Sequence, residues 1–375
     1  MRVLIAGGGT GGHFYPALAV MEELLQRESA VKLAYIGTRR GIEARILPFY
    51  PWIRFFPIHA RGLARGDLLQ NLYVLALLTV AMIETIVVFA RFRPQIVIGM
   101  GGYSSFPAVL LASMLGKVLP VRTIIHEQNV VAGLTNRLLA PLVDKVLVSY
   151  PQSRRSFTRA RKVIVTGNPI RKEFFLAQRT DGLYRKFGLD PTRQTVLVFG
   201  GSHGSAVLTT AVLRAKAAIA RNERLQILLV TGKAGEEDVI RAEFGRAGVD
   251  NVVVRRYIER MGEAFALADL VVSRAGATTL AEITSCGKPA LLIPWGGATD
   301  GHQWENARLL NQEEACALID EQDILDQGLA RLIEQVVSDR ERLMRMAQNS
   351  RRLGKRRATT LILGEIIALA EGGRR

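Results

Sequence analysis

Residues 2–13 read RVLIAGGGTGGH and residues 195–206 read TVLVFGGSHGSA. Each is a short apolar run, then a glycine-rich turn carrying a hydroxyl residue, then a stretch with helical spacing. Glycines in such a turn let the backbone approach a ligand. The N–H groups at the start of the following helix favour an anion. Two strand–glycine turn–helix openings about half a chain apart predict two similar domains.

The rest of the sequence extends that pattern. β-branched runs at Arg2–Ala6, Lys32–Ile36, Gln95–Ile98, Arg122–Ile125 and Lys145–Val148 alternate with longer amphipathic stretches. The second half repeats the alternation at Thr195–Phe199, Gln226–Val230, Val252–Val254, Leu270–Val272 and Ala290–Ile293. Alternation of this kind predicts an α/β fold of parallel sheets covered by helices. The tripeptide Gly167-Asn168-Pro169 marks the join. The expected division is 1–166, 167–345, and a last segment, 346–375, whose helix packs back on the first domain.

Composition narrows the function. A chain of 375 residues with 49% hydrophobic and 22% charged residues has material for two cores. That excludes global disorder. A formal net charge of +16 points to anionic partners: nucleic acid, phosphorylated substrates or an acidic membrane surface. Basic runs occur at Arg154, Arg155, Arg159, Arg161 and Lys162, and at Arg351, Arg352, Lys355, Arg356 and Arg357. Aromatic residues do not interleave with them and no zinc-finger spacing occurs, so nucleic acid is not the expected partner. Two cysteines, Cys286 and Cys316, fit a reducing compartment. The opening MRVLIAGGG reads as a buried strand rather than a signal peptide.

Leu72–Ala90 stands apart, with a single charge, Glu84. Its length suits a membrane span, but a mid-span glutamate is costly and a span would interrupt the first sheet. A buried helix, a surface helix dipping into a bilayer and a span all stay open. Arg91 and Arg93 follow at once, as expected where a helix end meets anionic headgroups.

The first turn, Gly7 to Gly12, satisfies the glycine spacing of a dinucleotide site. Such a site also needs an acid at the end of the second strand, and that strand ends Tyr35-Ile36-Gly37-Thr38. A nicotinamide oxidoreductase is therefore not expected. The second turn, Gly200 to Ser205, can hold a diphosphate, with Ser202 donating. His126-Glu127-Gln128-Asn129 and Met100-Gly101-Gly102-Tyr103-Ser104 each follow a strand, so they should share one rim with His13. In the second half Glu282 lies one to two turns into a helix after Ser273 to Gly276. A carboxylate there can accept both hydroxyls of a ribose, and the amides of Gln303 and Asn306 suit sugar hydroxyls. No Asp-x-Asp motif and no metal-ligand spacing occur, so no metal or other cofactor is expected. Backbone amides and a cation such as Arg171 would then stabilise a departing diphosphate.

Taken in order, GGGTGGH, GMGGYSSFPA, HEQNVVAGLTN, GNPIR, GGSHGS and SRAGATTLAE resemble the MurG family. The resemblance runs from Val3 to about Asn306, and HEQN followed by GLTN carries most of its specificity. It implies the GT-B fold, two Rossmann-like domains with parallel sheets facing a central cleft. It implies inverting transfer of N-acetylglucosamine from UDP-N-acetylglucosamine to the C4 hydroxyl of a polyprenyl-diphosphate-linked muramyl pentapeptide. The place would be the inner face of a bacterial membrane, reached peripherally through a patch at Leu72–Arg93. By the same resemblance Gly201 and Ser202 contact the diphosphate with Arg171 close by, and Ile258 meets the uracil. Glu282 takes the ribose, while Arg274, Ala277, Thr278, Gln303 and Asn306 surround the sugar. Thr10, Gly11, Gly12 and Asn129 complete the donor pocket, and His13, Tyr103, Glu127 and Asn136 line the acceptor side. His13 is the first candidate for general base and Glu127 the second.

The second loop of the family commonly reads GGSQGA, so His203 and Ser205 depart from it, as does Thr209 where an asparagine can stand. No role is carried to His203 or Thr209. Trp295–Thr299 also differs from the run common there. The neighbouring alternative is another GT-B transferase with a different UDP-sugar or lipid acceptor; the distant one is a basic nucleic-acid-binding protein.

Overall fold

The structure, a computed structural model, describes residues 1–62, 68–201, 204–232, 236–298 and 301–372. It divides into two compact units, Met1–Arg171 with Arg356–Arg375, and Lys172–Lys355.

The first unit holds seven parallel strands: β1 (Arg2–Ala6), β2 (Lys32–Thr38), β3 (Ile53–Ile58), β4 (Ile96–Gly99), β5 (Arg122–Glu127), β6 (Lys145–Val148) and β7 (Val163–Val165). Their order is β3-β2-β1-β4-β5-β6-β7. Val3 of β1 lies beside Leu33 on one side and Ile96 on the other, so the order reverses between β1 and β4. Open α/β sheets bind ligands outside the carboxyl ends of the strands at that reversal. The loops after β1, β4 and β5 therefore occupy the binding edge.

Strand alternation divides the core between the two faces of this sheet. Val3 and Ile5 pack with Phe14, Leu18, Met21 and Leu24 of the helix Gly11–Arg27, and with Ile362, Leu363 and Ile366 of the closing helix Ala358–Gly372. Leu4 and Ala6 face Ala81, Val88 and Phe89 of the helix Leu68–Phe92, and Ala108 and Ala112 of the helix Ser105–Leu115.

The second unit repeats the plan with six parallel strands: β8 (Gln194–Phe199), β9 (Leu225–Val230), β10 (Val252–Arg255), β11 (Leu270–Ser273), β12 (Ala290–Leu292) and β13 (Cys316–Leu318). Their order is β10-β9-β8-β11-β12-β13, with the reversal between β8 and β11. The chain thus has the α/β fold of two parallel-sheet domains that its twin glycine openings predict.

Three short strands, β3, β7 and β13, lack a sequence counterpart. All three lie at sheet edges. β3 carries Pro57 and is only partly buried, and the other two have three residues each. Edge strands need neither the length nor the continuous apolar run of a central one. β5 also runs on to Glu127, so His126 and Glu127 are strand residues rather than the loop residues expected.

The divide between units falls after Arg171 and again after Lys355, where the sequence suggested 166 and 345. The 167–171 stretch stays with the first unit. Thr166 and Gly167 donate to the Val148 carbonyl, and the Arg171 guanidinium stacks 4.4 Å over the Tyr15 ring. The helix Arg340–Leu353 stays with the second unit, where it packs on the helix Ala277–Cys286 and Ser350 Oγ donates to the Ile283 carbonyl at 3.4 Å.

The helix Leu68–Phe92 is long and apolar enough to cross a bilayer, and only 28% of its apolar window is buried. Its inner side nevertheless packs on the sheet through Ala81, Val88, Phe89 and Phe92. Glu84 is held within the unit. Its carboxylate accepts from the His59 backbone at 2.7 Å, meets the His59 ring at 2.6 Å and lies 4.0 Å from Arg39. The helix is thus a layer of the first unit, and a glutamate in mid-helix is accommodated by partners at the rim.

Candidate active site

At the binding edge of the first unit, the turn after β1 leads into the helix Gly11–Arg27 through Thr10 in extended conformation. Thr10 Oγ1 lies 3.4 Å from His13 Nδ1. The other edge of the imidazole lies against Gly101, where a Cβ would stand 3.1 Å from His13 Nε2. Gly101 has φ +89° and Gly102 φ +76°, so glycine is required there by backbone as well as by space. The two glycines after β4 thereby place no side chain of their own against the His13 ring. Tyr103 is half-buried, and its hydroxyl stands 3.2 Å from where a Cβ on Gly9 would be. Burial and the Glu43 carboxylate push its phenol above the ordinary value, against the smaller opposing pull of Arg61.

Glu127 ends β5 and is 2% exposed. Its Oε1 accepts from the Asn129 backbone and side chain at 3.0 Å each. Its Oε2 accepts from Gly133 N at 3.1 Å and Asn136 Nδ2 at 2.8 Å. One buried carboxylate thus organises the loop that HEQN and GLTN bracket. Asn136, also buried, lies close to Gly101, where a Cβ would stand 3.5 Å from its Nδ2.

His126 belongs to the brace behind the site. Nε2 is 2.9 Å from the Gly167 carbonyl and Nδ1 3.1 Å from Gln128 Nε2. Burial lowers its pKa to about 4, outweighing the Gly167 hydrogen bond and the Glu127 charge. The neutral ring donating from Nε2 and accepting at Nδ1 satisfies both neighbours. Gln128 also donates to Met100 O at 2.8 Å, tying the β5 loop to the β4 loop.

In the second unit the turn after β8 has Gly201 at φ +90° and Gly204 at φ +84°. A Cβ on Gly204 would run into the Thr231 carbonyl, so the turn presses on the loop after β9. Ser205 caps the helix Ala206–Arg214, accepting from Leu208 N at 3.4 Å. The expected diphosphate ligand Ser202 lies outside the described residues, as do His203, Thr299 and Asp300. Glu282, 8% exposed, stands in the helix Ala277–Cys286 together with the buried Ala277 and Thr278. Gln303 Oε1 accepts from Ala275 N at 3.2 Å and Trp295 N at 3.0 Å, and Asn306 Nδ2 donates to Ala275 O at 3.3 Å. Both amides clip the turn that precedes Ala277. Ile258 is half-buried in the loop after β10.

Two expected ligand residues also have partners within their own units. The Arg274 guanidinium donates to the carbonyls of Ile293 and Pro294 and pairs with Glu321, so it braces β11 against the chain after β12. Arg171 stacks on Tyr15 in the first unit.

Three helices begin at these edges, at Gly11, Ala206 and Ala277, and none has an acid in its first turn. Other helices, such as Lys216–Arg221 and Leu329–Val337, lack one as well, whereas those starting at Asp181, Glu237 and Glu321 carry one. An acid there would cancel the positive end of the helix dipole, so its omission keeps the three helix starts suited to an anion. Among the described residues no group of three His, Cys, Asp or Glu side chains is placed to hold a metal ion.

Comparison with known proteins gives a consistent picture. Residues 3–148 match the glycosyltransferase family 28 N-terminal domain and residues 195–362 its C-terminal domain. The chain is 40% identical over 370 residues to the UDP-N-acetylglucosamine--N-acetylmuramyl-(pentapeptide) pyrophosphoryl-undecaprenol N-acetylglucosamine transferase of Desulforamulus reducens, covering 97% of each. It is 38% identical to the protein of the same name from Desulfitobacterium hafniense, covering 95% of each. Among solved structures it is similar to Acinetobacter baumannii MurG, at 26% identity and a TM-score of 0.74, covering 98% of this chain and 99% of that one.

Proposed function

Since the chain belongs to glycosyltransferase family 28, and within it to the MurG enzymes, we propose the following reading of its activity. It is a hexosyltransferase that moves N-acetylglucosamine from UDP-N-acetylglucosamine to undecaprenyl-diphosphate-linked N-acetylmuramyl-pentapeptide, a step of peptidoglycan synthesis. The observation that carries this is near-full-length identity of 34–40% to relatives that share this one activity name.

The reaction is a single in-line displacement with inversion. The C4 hydroxyl of the acceptor attacks the anomeric carbon as UDP departs, and the transition state is oxocarbenium-like. His13 takes the hydroxyl proton; its Nε2 edge lies beside the backbone of Gly101. Glu127 holds the acceptor loop, since four N–H donors already occupy its two oxygens. Charge developing on UDP is met by the amides of the Gly200–Gly201 turn, by Ser202 and by Arg171, without a metal. Glu282 accepts from the ribose, Ile258 meets the uracil, and Gln303 with Asn306 holds the turn that presents the Ala277 and Thr278 backbone to the sugar. Thr10, Gly11, Gly12 and Asn129 complete the donor site, and Tyr103 and Asn136 the acceptor side. Arg274 acts through the backbone it braces.

The enzyme works at the cytoplasmic face of the cell membrane as a peripheral protein. The outward side of the helix Leu68–Phe92 exposes Leu72, Leu75, Ile83 and Ile86. Exposed Met114 continues it on the helix Ser105–Leu115 packed alongside, and exposed Leu138 on the helix Leu134–Leu139 that packs in turn on that one. Arg91, Arg93, Lys117 and Arg137 are exposed nearby, as suits an anionic surface.

Incubation of radiolabelled UDP-N-acetylglucosamine with the lipid-linked muramyl acceptor, with and without EDTA, tests the chemistry. Label should enter the lipid at equal rates. Loss of transfer in EDTA would contradict the metal-free step, and absence of transfer in both arms the activity itself. Ile83→Asp with Ile86→Asp should abolish co-sedimentation with anionic vesicles; unchanged sedimentation would remove the patch.

A further inference from the structure

Beneath the first glycine turn lies a carboxylate that the activity above does not use. Glu43, in the short helix Ile42–Ile46, is fully buried. Its Oε1 accepts from Thr38 N at 2.7 Å and Thr38 Oγ1 at 3.0 Å. Its Oε2 has no hydrogen-bond partner among the described residues, and neither do the buried Tyr35 Oη and Ser104 Oγ. A carboxylate without full compensation is costly to bury, so one retained in this position needs an explanation beyond packing.

The surroundings supply it. A Cβ on Gly8 would stand 2.6 Å from Glu43 Oε1 and 2.7 Å from Ser104 Oγ, and one on Gly7 3.3 Å from Tyr35 Oη. A Cβ on Gly37 would stand 2.6 Å from Glu43 Cγ, and one on Gly41 would also run into the carboxylate. Glu43 therefore fills the space that three glycines leave under the ends of β1 and β2, next to the Ser104 turn after β4. Gly102 lies between that turn and the histidine. The Gly8 carbonyl lies 2.9 Å from a Cβ built on Gly102, and that same Cβ position is 3.4 Å from His13 Nδ1.

We propose that Glu43 is a positioning residue for His13: seated under Gly8 and tied to Thr38, it sets the height of the glycine turn against the Gly101–Gly102 loop. This rests on the reading of His13 as the base. It places a specificity for geometry in a residue that touches neither substrate.

The test compares steady-state kinetics of E43A, E43Q, T38V and H13A, with UDP binding by calorimetry and folding by circular dichroism. E43A should lose about 10- to 100-fold in kcat, the scale of a small misplacement of a catalytic group, with affinity for UDP, which the second unit holds, unchanged. E43Q should restore kcat to within about threefold of the parent, because its volume is nearly the same and its carbonyl still accepts from Thr38. T38V keeps volume and removes one donor; it should lower kcat alone, about threefold, and it carries the test if E43A does not fold. A merely structural role would lower the amount of folded enzyme and leave kcat per folded molecule unchanged, and that result in E43A or T38V overturns the proposal. If H13A keeps turnover, the base assignment fails and takes the proposal with it. If H13A is inactive while E43A and T38V turn over normally, only the role of Glu43 is lost.

Discussion

Glu127→Gln exchanges one carboxylate oxygen for an NH2 group at almost constant volume. In the native site four N–H donors, two from Asn129 and one each from Gly133 and Asn136, point at the two oxygens. A glutamine can offer its carbonyl to one pair only. Its NH2 then faces the other pair, leaving two buried donors without an acceptor. Each such loss costs about 1–3 kcal/mol, and the bonds to the remaining oxygen weaken as the charge goes. The expected destabilisation of the first unit is about 4 kcal/mol. For a unit of roughly 150–250 residues that lowers Tm by about 8–16 °C. Because Asn136 and His13 both lie close to Gly101, kcat should fall with stability. Thermal melting followed by circular dichroism, alongside transferase assays at a temperature where the variant is folded, reads both. A variant that melts like the parent yet has lost turnover would show that the carboxylate acts in chemistry, and the base would be Glu127 rather than His13.

Further outcomes rest on separate features. His126 has a folded pKa of about 4, below its ordinary 6.5, so its contribution is complete above pH 6.5 and is lost as pH falls towards 4. The loss amounts to about 3 kcal/mol, visible as a drop in Tm between pH 7.5 and 4.5; an equal drop in H126Q would assign the acid sensitivity elsewhere. Gly204→Ala drives a Cβ into the Thr231 carbonyl at a positive φ, so UDP affinity by calorimetry should fall by about tenfold or more, and native affinity would show that the turn yields. Ser205→Ala removes a long helix cap and should cost about 0.5–1 kcal/mol in urea unfolding of the second unit without changing UDP affinity.

Much of this was readable in the sequence because glycine turns, strand alternation and polar strand ends are local signals. The twin openings at residues 2–13 and 195–206 gave both sheets and both binding edges. The edge strands escaped because Pro57 and three-residue lengths leave little pattern to read. Side-chain partnerships were the harder part. Arg274 looked like a ligand for a phosphate or sugar, and only the fold brings Ile293, Pro294 and Glu321 to its guanidinium. Glu43 gives no local signal: nothing in the sequence near it says that Gly8 of the first turn, with Gly37 and Gly41 around the end of β2, will leave a hollow for it. His126 was grouped with the ligand-facing residues, whereas one more pair of β5 residues turns its ring into the interior.

The closing helix has a consequence for how the polypeptide comes together. Residues 356–375 complete a unit whose sheet is made from residues 2–165, so the second unit is inserted into the first like a clause within brackets. On a ribosome the inserted cassette is whole before Ile362, Leu363 and Ile366 emerge to cover Val3, Ile5 and Phe14. The bracket that opens first is therefore sealed last, and a nascent chain stalled near residue 355 would carry a finished insert beside an unsealed apolar seam.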